Sequence, residues 1–320
     1  MYTKYHHIFN GAGWTIVLKQ AYDPEKHKPE LKPIGIIPGY GMSAYIFGYH
    51  PRDLSMEEYL MRQGFEVWSI NFRNQGESRC IGGCTEYAIE DIVFNDLKVA
   101  VDHILEMTKS QRDKVDLIGG SLGGAYAYLY AALINPDKAG ALVGIGAPFK
   151  MVNVHPAFVM VTYWPKLLKQ VKLNHTRQLA RLALPLVLRM PRLISIYLHP
   201  EIVDTGDPES LLKAIENPNC LLNYQLAYWV KNEELFIQGK SFTSLMQRVS
   251  NPILCILSNA DGIVSRENAL AVLDAASSEV KDYFVAGDEN IKMAHADLFV
   301  SDYCQQMVFE PMTNWLLQQN

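Results

Sequence analysis

Val115-Asp116-Leu117-Ile118-Gly119-Gly120-Ser121-Leu122-Gly123-Gly124 is the stretch on which the reading of this chain turns. A short apolar run ends directly in Gly-Gly-Ser-Leu-Gly, and a helix-forming run opens near Ala125. This is G-x-S-x-G between a strand and a helix, the context in which a sharp turn presents a serine. Such a turn forces the serine into a strained backbone. The glycines two before and two after it, Gly119 and Gly123, are needed because side chains there would collide across the turn. The hydroxyl is lifted clear of the sheet at a helix N-terminus, where the helix dipole and free amides favour a developing negative charge. The alternative is a glycine-rich turn that merely packs a helix on a strand. A phosphate-cradling loop fits poorly: there is no lysine at the P-loop position, and Ser121 stands where the dinucleotide fingerprint needs small spacing.

Working outward, His6 to Asn10 and Thr15 to Gln20 flank Gly11-Ala12-Gly13, a hairpin signal. Pro24 to Lys32 reads as a polar loop, and Pro33 to Ile37 as a short strand ending at Pro38-Gly39. Ser55-Met56-Glu57-Glu58 has capping-box spacing and opens a helix that ends at Gly64. Phe65 to Asn71 predicts a strand, Ile89 to Met107 a helix, and Ala141 to Gly146 a buried strand. The alternation stops between about Phe149 and Asn251, a helical, proline-punctuated stretch. It resumes with a strand at Pro252 to Leu257, a helix at Arg266 to Ala276, a strand at Val280 to Val285 and one final helix at Ala296 to Gln318. Short apolar strands alternating with helices predict an α/β fold, a mostly parallel sheet covered on both faces. Residues 1–148 and 252–320 are read as the core, and 149–251 as an inserted helical cap over the C-terminal edge of the sheet, where open α/β sheets bind ligands.

At 320 residues and 49% hydrophobic, the chain can build one large core, or one core with an inserted subdomain. Charged residues are 20% and the net charge is −5, which argues against disorder and against a nucleic-acid binder. Met1 to Asn10 is polar, without the apolar run of a secretory signal. Leu182 to Leu198 is broken by Pro185, Arg189, Pro191 and Arg192, too short and charged to span a bilayer. A soluble cytoplasmic protein is the expectation. Five cysteines, at positions 80, 84, 220, 255 and 304, are expected as free thiols. A redox bridge or half a metal site at Cys80 and Cys84 is the alternative, but no second cysteine or histidine pair stands at ligand spacing. Neither cofactor nor metal is expected.

A serine hydroxyl needs an adjacent base, and the base an orienting acid. His295, in Met293-Ala294-His295-Ala296-Asp297-Leu298, follows the last strand and is the best base. His6 and His7 lie in the hairpin, His103 in mid-helix, and His155, His175 and His199 in the insert. A surface histidine is the plainer alternative for His295. The acid should follow the preceding strand, and Asp261 in Ser258-Asn259-Ala260-Asp261-Gly262 does so; an Asp-Gly turn without chemistry is the alternative, and Asp288 the weaker rival. After Gly146 the chain offers only Ala147-Pro148-Phe149-Lys150, with no acid. The order Ser121, Asp261, His295 differs from that of chymotrypsin-like and subtilisin-like enzymes. Two backbone amides would hold the oxyanion: Leu122, after the serine, and Tyr40, in the loop Pro38-Gly39-Tyr40-Gly41-Met42.

On these residues the chain resembles the α/β-hydrolase superfamily, in its serine esterase and lipase branch. The carriers are Pro38-Gly39-Tyr40, Gly119 to Gly124, Asp261 and His295, with Gly64-Phe65-Glu66-Val67-Trp68 and Asn71-Phe72-Arg73-Asn74-Gln75-Gly76-Glu77-Ser78 before them. The likeness spans nearly the whole chain. It departs where many lipases carry His-Gly in the oxyanion loop and His-Ser at the elbow, since this chain has Pro38-Gly39 and Gly120-Ser121. The Gly-Gly-Ser elbow is also similar to that of homoserine O-acetyltransferases, and polyhydroxyalkanoate synthases share the fold with a cysteine nucleophile. A serine rather than an aspartate argues against dehalogenase or epoxide hydrolase chemistry.

The resemblance implies a cofactor-free hydrolase acting on a small-molecule carboxylic ester or thioester of apolar acyl character through an acyl-enzyme. An acyltransferase with the same triad, and a non-catalytic binding protein on the same fold, are the rivals. From Met151 to Pro200 there is no acidic residue, while Lys166, Lys169, Lys172, Arg177, Arg181, Arg189 and Arg192 alternate with apolar residues, Tyr163 and Trp164. Weak contact of this cap with anionic amphiphiles or lipid is one reading. Pairing with Glu201, Asp204, Asp207, Glu209, Glu216, Glu233 and Glu234 is the plainer one, and the favoured one.

Overall fold

A computed structural model describes residues 1–152, 154 and 174–320. The apolar runs become strands: β1 (Tyr2–Phe9), β2 (Trp14–Tyr22), β3 (Ile34–Ile37), β4 (Val67–Asn71), β5 (Arg79–Cys80), β6 (Val115–Gly120) and β7 (Ala139–Ile145), then β8 (Phe236–Ile237), β9 (Lys240–Ser241), β10 (Ile253–Ser258) and β11 (Lys281–Ala286). Among the described residues one sheet runs β1-β2-β4-β3-β6-β7-β10-β11, with β5 added on β2, and a separate small hairpin joins β8 to β9. The β1–β2 hairpin and the β2–β4 pairing are antiparallel; from β4 to β11 every pairing is parallel. Every residue of β3, β6 and β7 is buried, as expected for strands covered on both faces.

β3 pairs with β4 on one side and β6 on the other. The chain leaving β3 and β6 therefore diverges, and a crevice opens at the carboxyl ends of these strands.

The main helices are α1 (Met56–Arg62), α2 (Lys98–Met107), α3 (Leu122–Leu133), α4 (Thr176–Val187), α5 (Cys220–Asn232), α6 (Arg266–Ala275), α7 (Asp297–Val300) and α8 (Glu310–Gln318). The capping box forms: the Glu58 amide donates to Ser55 Oγ at 3.3 Å and the Ser55 amide to Glu58 Oε2 at 3.2 Å. Adjacent strand residues face opposite layers. Leu117 joins a core with α2, α3 and α6, while Ile118 joins one with α1, α7 and α8. The insert feeds both layers, through Leu222, Trp229, Phe242 and Leu245 in the first and Ile194, Leu198 and Val203 in the second. Burial of these side chains ties the described part of the insert from Ile194 onward to the sheet.

Two expected helices are interrupted. The run Ala296 to Gln318 is not one helix: α7 stops at Val300, Ser301 is extended (ψ 155°), and a wide turn at Gln305–Phe309 leads into α8. Pro311 is the physical reason for the wide turn. It has no N–H for the carbonyl one turn back and its ring crowds that carbonyl, so the Glu310 amide reaches back to Gln305 instead. The run from Ile89 likewise passes through a wide turn at Ile92–Leu97 before α2. There the buried Arg73 guanidinium takes the Asp91 carbonyl at 3.1 Å and the Asp96 carboxylate at 2.8 Å.

Candidate active site

Ser121 sits between β6 and α3 at φ 52°, ψ −127°, outside the regions an L-residue favours. Such a conformation costs on the order of 1–3 kcal/mol and persists only when its surroundings hold it. The Ser121 amide donates to the Ile145 carbonyl on β7 at 2.8 Å. A Cβ on Gly119 would lie 2.2 Å from backbone atoms of Gly123 and Gly124, and one on Gly123 would lie 2.3 Å from the Ile37 carbonyl oxygen. The glycines flanking the serine are thus required by backbone-to-backbone contact.

The loop after β3 presses on this turn. A Cβ on Gly39 would lie 2.9 Å from Ser121 Cβ and 3.6 Å from the Leu122 amide nitrogen. Leu122 is the first residue of α3, so its N–H has no intrahelical acceptor. Tyr40 follows Gly39, and its hydroxyl donates to Asn223 Oδ1 on α5. The insert also holds this loop by its backbone: the Glu216 amide donates to the Gly41 carbonyl at 2.8 Å, and the Ser43 amide to the Ala214 carbonyl at 2.8 Å.

His295 and Asp261 are in direct contact. His295 Nδ1 lies 2.8 Å from Asp261 Oδ2, and both side chains are buried. The Asp261 carboxylate is oriented by its own turn, because Oδ1 accepts from the amides of Ile263 (2.8 Å) and Val264 (2.9 Å). A carboxylate can only accept from a neutral imidazole, so in that form Nδ1 carries the proton and Nε2 keeps its lone pair. Gly146, after β7, makes room for the ring: a Cβ there would lie 3.0 Å from His295 Cε1. Asp288 is engaged elsewhere, accepting from the amides of Asn290 and Ile291 at 2.7 and 2.9 Å.

Ser121 and His295 line one cavity of about 490 Å3 without sharing a hydrogen bond. Met42, Ile46, Phe47 and Phe299 come from the core, and Leu193, Ile196 and Tyr197 from the insert. Phe47 and Phe299 meet edge to face at 5.6 Å, and a Cβ on Gly120 would touch both rings at 3.1 Å. Burial pushes the Tyr197 phenol up to about 12, so it is neutral at physiological pH. A polar cleft of about 550 Å3 also opens beside Ser43, Arg177 and Glu216. Its cations are engaged: Arg177 donates to the carbonyls of Lys213 and Ile215, and Lys213 lies over the Tyr45 ring.

Among the described residues no group of three or more His, Cys, Asp or Glu side chains is placed to hold a metal. Cys80 and Cys84 are exposed free thiols. Arg177 pairs with Glu216 at 3.5 Å and Arg181 with Glu209 at 2.5 Å, in line with the plainer reading of the insert. His155, Tyr163, Trp164, Lys166, Lys169 and Lys172 lie outside the described residues. No described helix is long and apolar enough to cross a membrane.

Sequence reasoning expected the insert over this edge but did not single out the residues it lends the cavity, Leu193, Ile196 and Tyr197, and it missed a second His–Asp pair. His199 Nδ1 lies 2.8 Å from Oδ2 of the fully buried Asp297. Asp297 stands two residues after His295. Its partner is 98 residues away along the chain, and no local pattern announces it.

The sheet order, its helical cover and the strained serine at the crevice define an α/β-hydrolase. Residues 52–287, which include Ser121 and Asp261, match the model of the family described as serine aminopeptidase, S33, and the chain belongs to that family. The fold is similar to that of solved lipases and esterases. Against a soluble variant of monoglyceride lipase from Saccharomyces cerevisiae, in complex with a substrate analog, the TM-score is 0.67 at 16% identity, covering 99% of this chain and 95% of that one. Against the monoacylglycerol lipase of Paleococcus ferrophilus it is 0.62 at 15% identity, covering 95% and 99%. A thermophilic esterase from Thermogutta terrifontis gives 0.64 at 16% identity, covering 99% of each chain. No curated protein sequence matches the chain.

Proposed function

We propose that the protein is a serine hydrolase cleaving a carboxylic ester or thioester of apolar acyl character, with Ser121 as nucleophile, His295 as base and Asp261 as the orienting acid. The observation that carries this reading is the buried His295–Asp261 pair, whose imidazole shares an apolar cavity with a backbone-strained serine. In the first step Ser121 Oγ attacks the acyl carbon while His295 Nε2 takes its proton, and Asp261 stabilises the imidazolium. The oxyanion is received by the amides of Leu122 and Tyr40. Collapse expels the alcohol or thiol, protonated by His295, and leaves the acyl group on Ser121. Water, deprotonated by His295, then attacks the acyl-enzyme and frees the acid. No cofactor enters these steps.

The aliphatic and aromatic lining suits an acyl chain better than the charged α-amino group that an aminopeptidase must hold. The same lining supports a second reading, acyl transfer, in which an alcohol or thiol replaces water at the acyl-enzyme. Partitioning of the acyl-enzyme between water and added alcohols separates the two. The domain reading is a core at 1–148 and 252–320 with an insert at 149–251 that roofs the cavity. A cytoplasmic location is part of the proposal, supported by five free thiols. Weak contact of the insert with anionic lipid is the less favoured reading, since Arg177 and Arg181 pair with Glu216 and Glu209; its support is the exposed Leu179, Leu182 and Leu186. It would appear as liposome binding that rises with anionic lipid and fades with salt; indifference to both would exclude it.

The deciding experiment uses a serine-reactive fluorophosphonate and p-nitrophenyl esters of graded chain length. Wild type should be labelled and active, and Ser121→Ala neither. Labelling that persists in Ser121→Ala overturns the assignment.

A further inference from the structure

Residues Ile196 to His199 of the insert touch both loops that carry the acid and the base. The Gly262 amide, next to Asp261, donates to the Ile196 carbonyl at 3.1 Å, and the Ala296 amide, next to His295, donates to the Tyr197 carbonyl at 2.8 Å. A Cβ on Gly262 would lie 2.7 Å from the Ile196 carbonyl oxygen and 2.8 Å from its Cα, so the acid turn and the insert are in backbone contact. The third tie is the side chain of Asp297. Its carboxylate accepts from the His199 amide at 3.1 Å, from His199 Nδ1 at 2.8 Å, and from the Ala294 amide at 2.6 Å. It thereby joins the residue before His295 to the insert in one buried anchor. A charged side chain with no solvent access is costly unless every oxygen is engaged, and here both oxygens are.

We propose that Asp297, acting through His199, is a positioning residue for the hydrolytic site: the pair clamps the insert strap Ile196–His199 onto the loop of His295 and so fixes the imidazole against Asp261 and toward Ser121. This rests on the reading of Ser121, His295 and Asp261 given above. The strap supplies Ile196 and Tyr197 to the cavity wall and Tyr197 packs its ring 6.0 Å from the imidazole, so the clamp sets the base and the acyl wall together. A misplacement of the base on the order of 1 Å can cost roughly a hundredfold in rate.

The His199 side chain is partly exposed (21%), so its replacement leaves no buried void. His199→Leu removes the donor to Asp297. His199→Asn keeps a nitrogen at the same position along the side chain as Nδ1, whereas His199→Gln moves it one bond further out. The test measures kcat and KM on a short p-nitrophenyl ester, with thermal melts and with Ser121→Ala in parallel. His199→Leu and Asp297→Asn should lower kcat by about ten- to a hundredfold with KM nearly unchanged, and His199→Asn should recover most of the loss where His199→Gln does not. Wild-type kcat in His199→Leu, a loss confined to KM, or equal losses in His199→Asn and His199→Leu would overturn the clamp. If Asp297→Asn does not fold, the three His199 variants decide alone. Activity that survives Ser121→Ala would overturn the site assignment, and the clamp with it; a dead Ser121→Ala beside an unaffected His199→Leu overturns the clamp only.

Discussion

Nδ1 of His295 lies 2.8 Å from Oδ2 of Asp261, although the two residues are 34 positions apart. The pair is held from both ends. Amides of Ile263 and Val264 orient the carboxylate, and Gly146 leaves space beside the imidazole.

The first prediction follows from that pair. Asp261→Asn keeps the size and can still accept from Ile263 and Val264 through its carbonyl oxygen. Its amide then faces His295 Nδ1 as a donor and favours the wrong tautomer. In an enzyme with this triad logic, such a change costs on the order of 10⁴ in kcat. The variant should melt close to wild type while kcat on p-nitrophenyl esters collapses; activity within tenfold of wild type would remove Asp261 from the mechanism.

A second prediction separates three glycines of the serine turn, Gly119, Gly120 and Gly123. Gly119→Ala and Gly123→Ala force a Cβ to within 2.2 and 2.3 Å of backbone atoms, so neither should yield a stable fold. Gly120→Ala meets only the ring edges of Phe47 and Phe299 at 3.1 Å, which can yield by a few tenths of an ångström. It should fold, with a cost of about 1–3 kcal/mol. Thermal melts of the three variants check the order.

The aromatic floor predicts chain-length preference. Phe47 and Phe299 cross edge to face in the cavity wall. Phe299→Leu should deepen the cavity and raise the ratio of kcat/KM for long over short p-nitrophenyl esters by roughly tenfold, the scale of one or two methylene contacts. An unchanged ratio would place the acyl chain elsewhere.

Stability should fall on mild acidification, for a reason remote from the site. Burial lowers the pKa of both His6 and His103, whose rings meet through a 2.9 Å hydrogen bond between His6 Nδ1 and His103 Nε2. In the unfolded chain an imidazole titrates near about 6.5. Below that value the unfolded chain binds protons that the folded pair resists. The contribution is therefore complete above about pH 6.5 and is lost as pH falls toward the lowered folded values. Tm measured from pH 7.5 to 5.5 should decline, and less steeply in His103→Asn. Parallel slopes would refute the assignment.

What could be read directly from the sequence is what short-range sterics dictate. The hairpin at Gly11 to Gly13, the capping box of Ser55 and Glu58, the buried strands and the serine turn each depend on residues a few positions apart. The meeting of His295 with Asp261 could be anticipated because each follows a strand in a parallel sheet, and such sheets gather their carboxyl ends at one rim. The wide turn in the final helix had a local signal too, Pro311, which the helical spacing of its neighbours masked. The other failures have the opposite property: the wide turn before α2 follows Arg73, which arrives from the end of β4. The cavity wall from Ile196 and Tyr197, the Tyr40–Asn223 bond and the His199–Asp297 clamp join segments far apart in the chain. Local periodicity carries no information about such partners, because they are selected by how the insert buries its apolar side chains in both core layers, a choice made only when the whole chain packs.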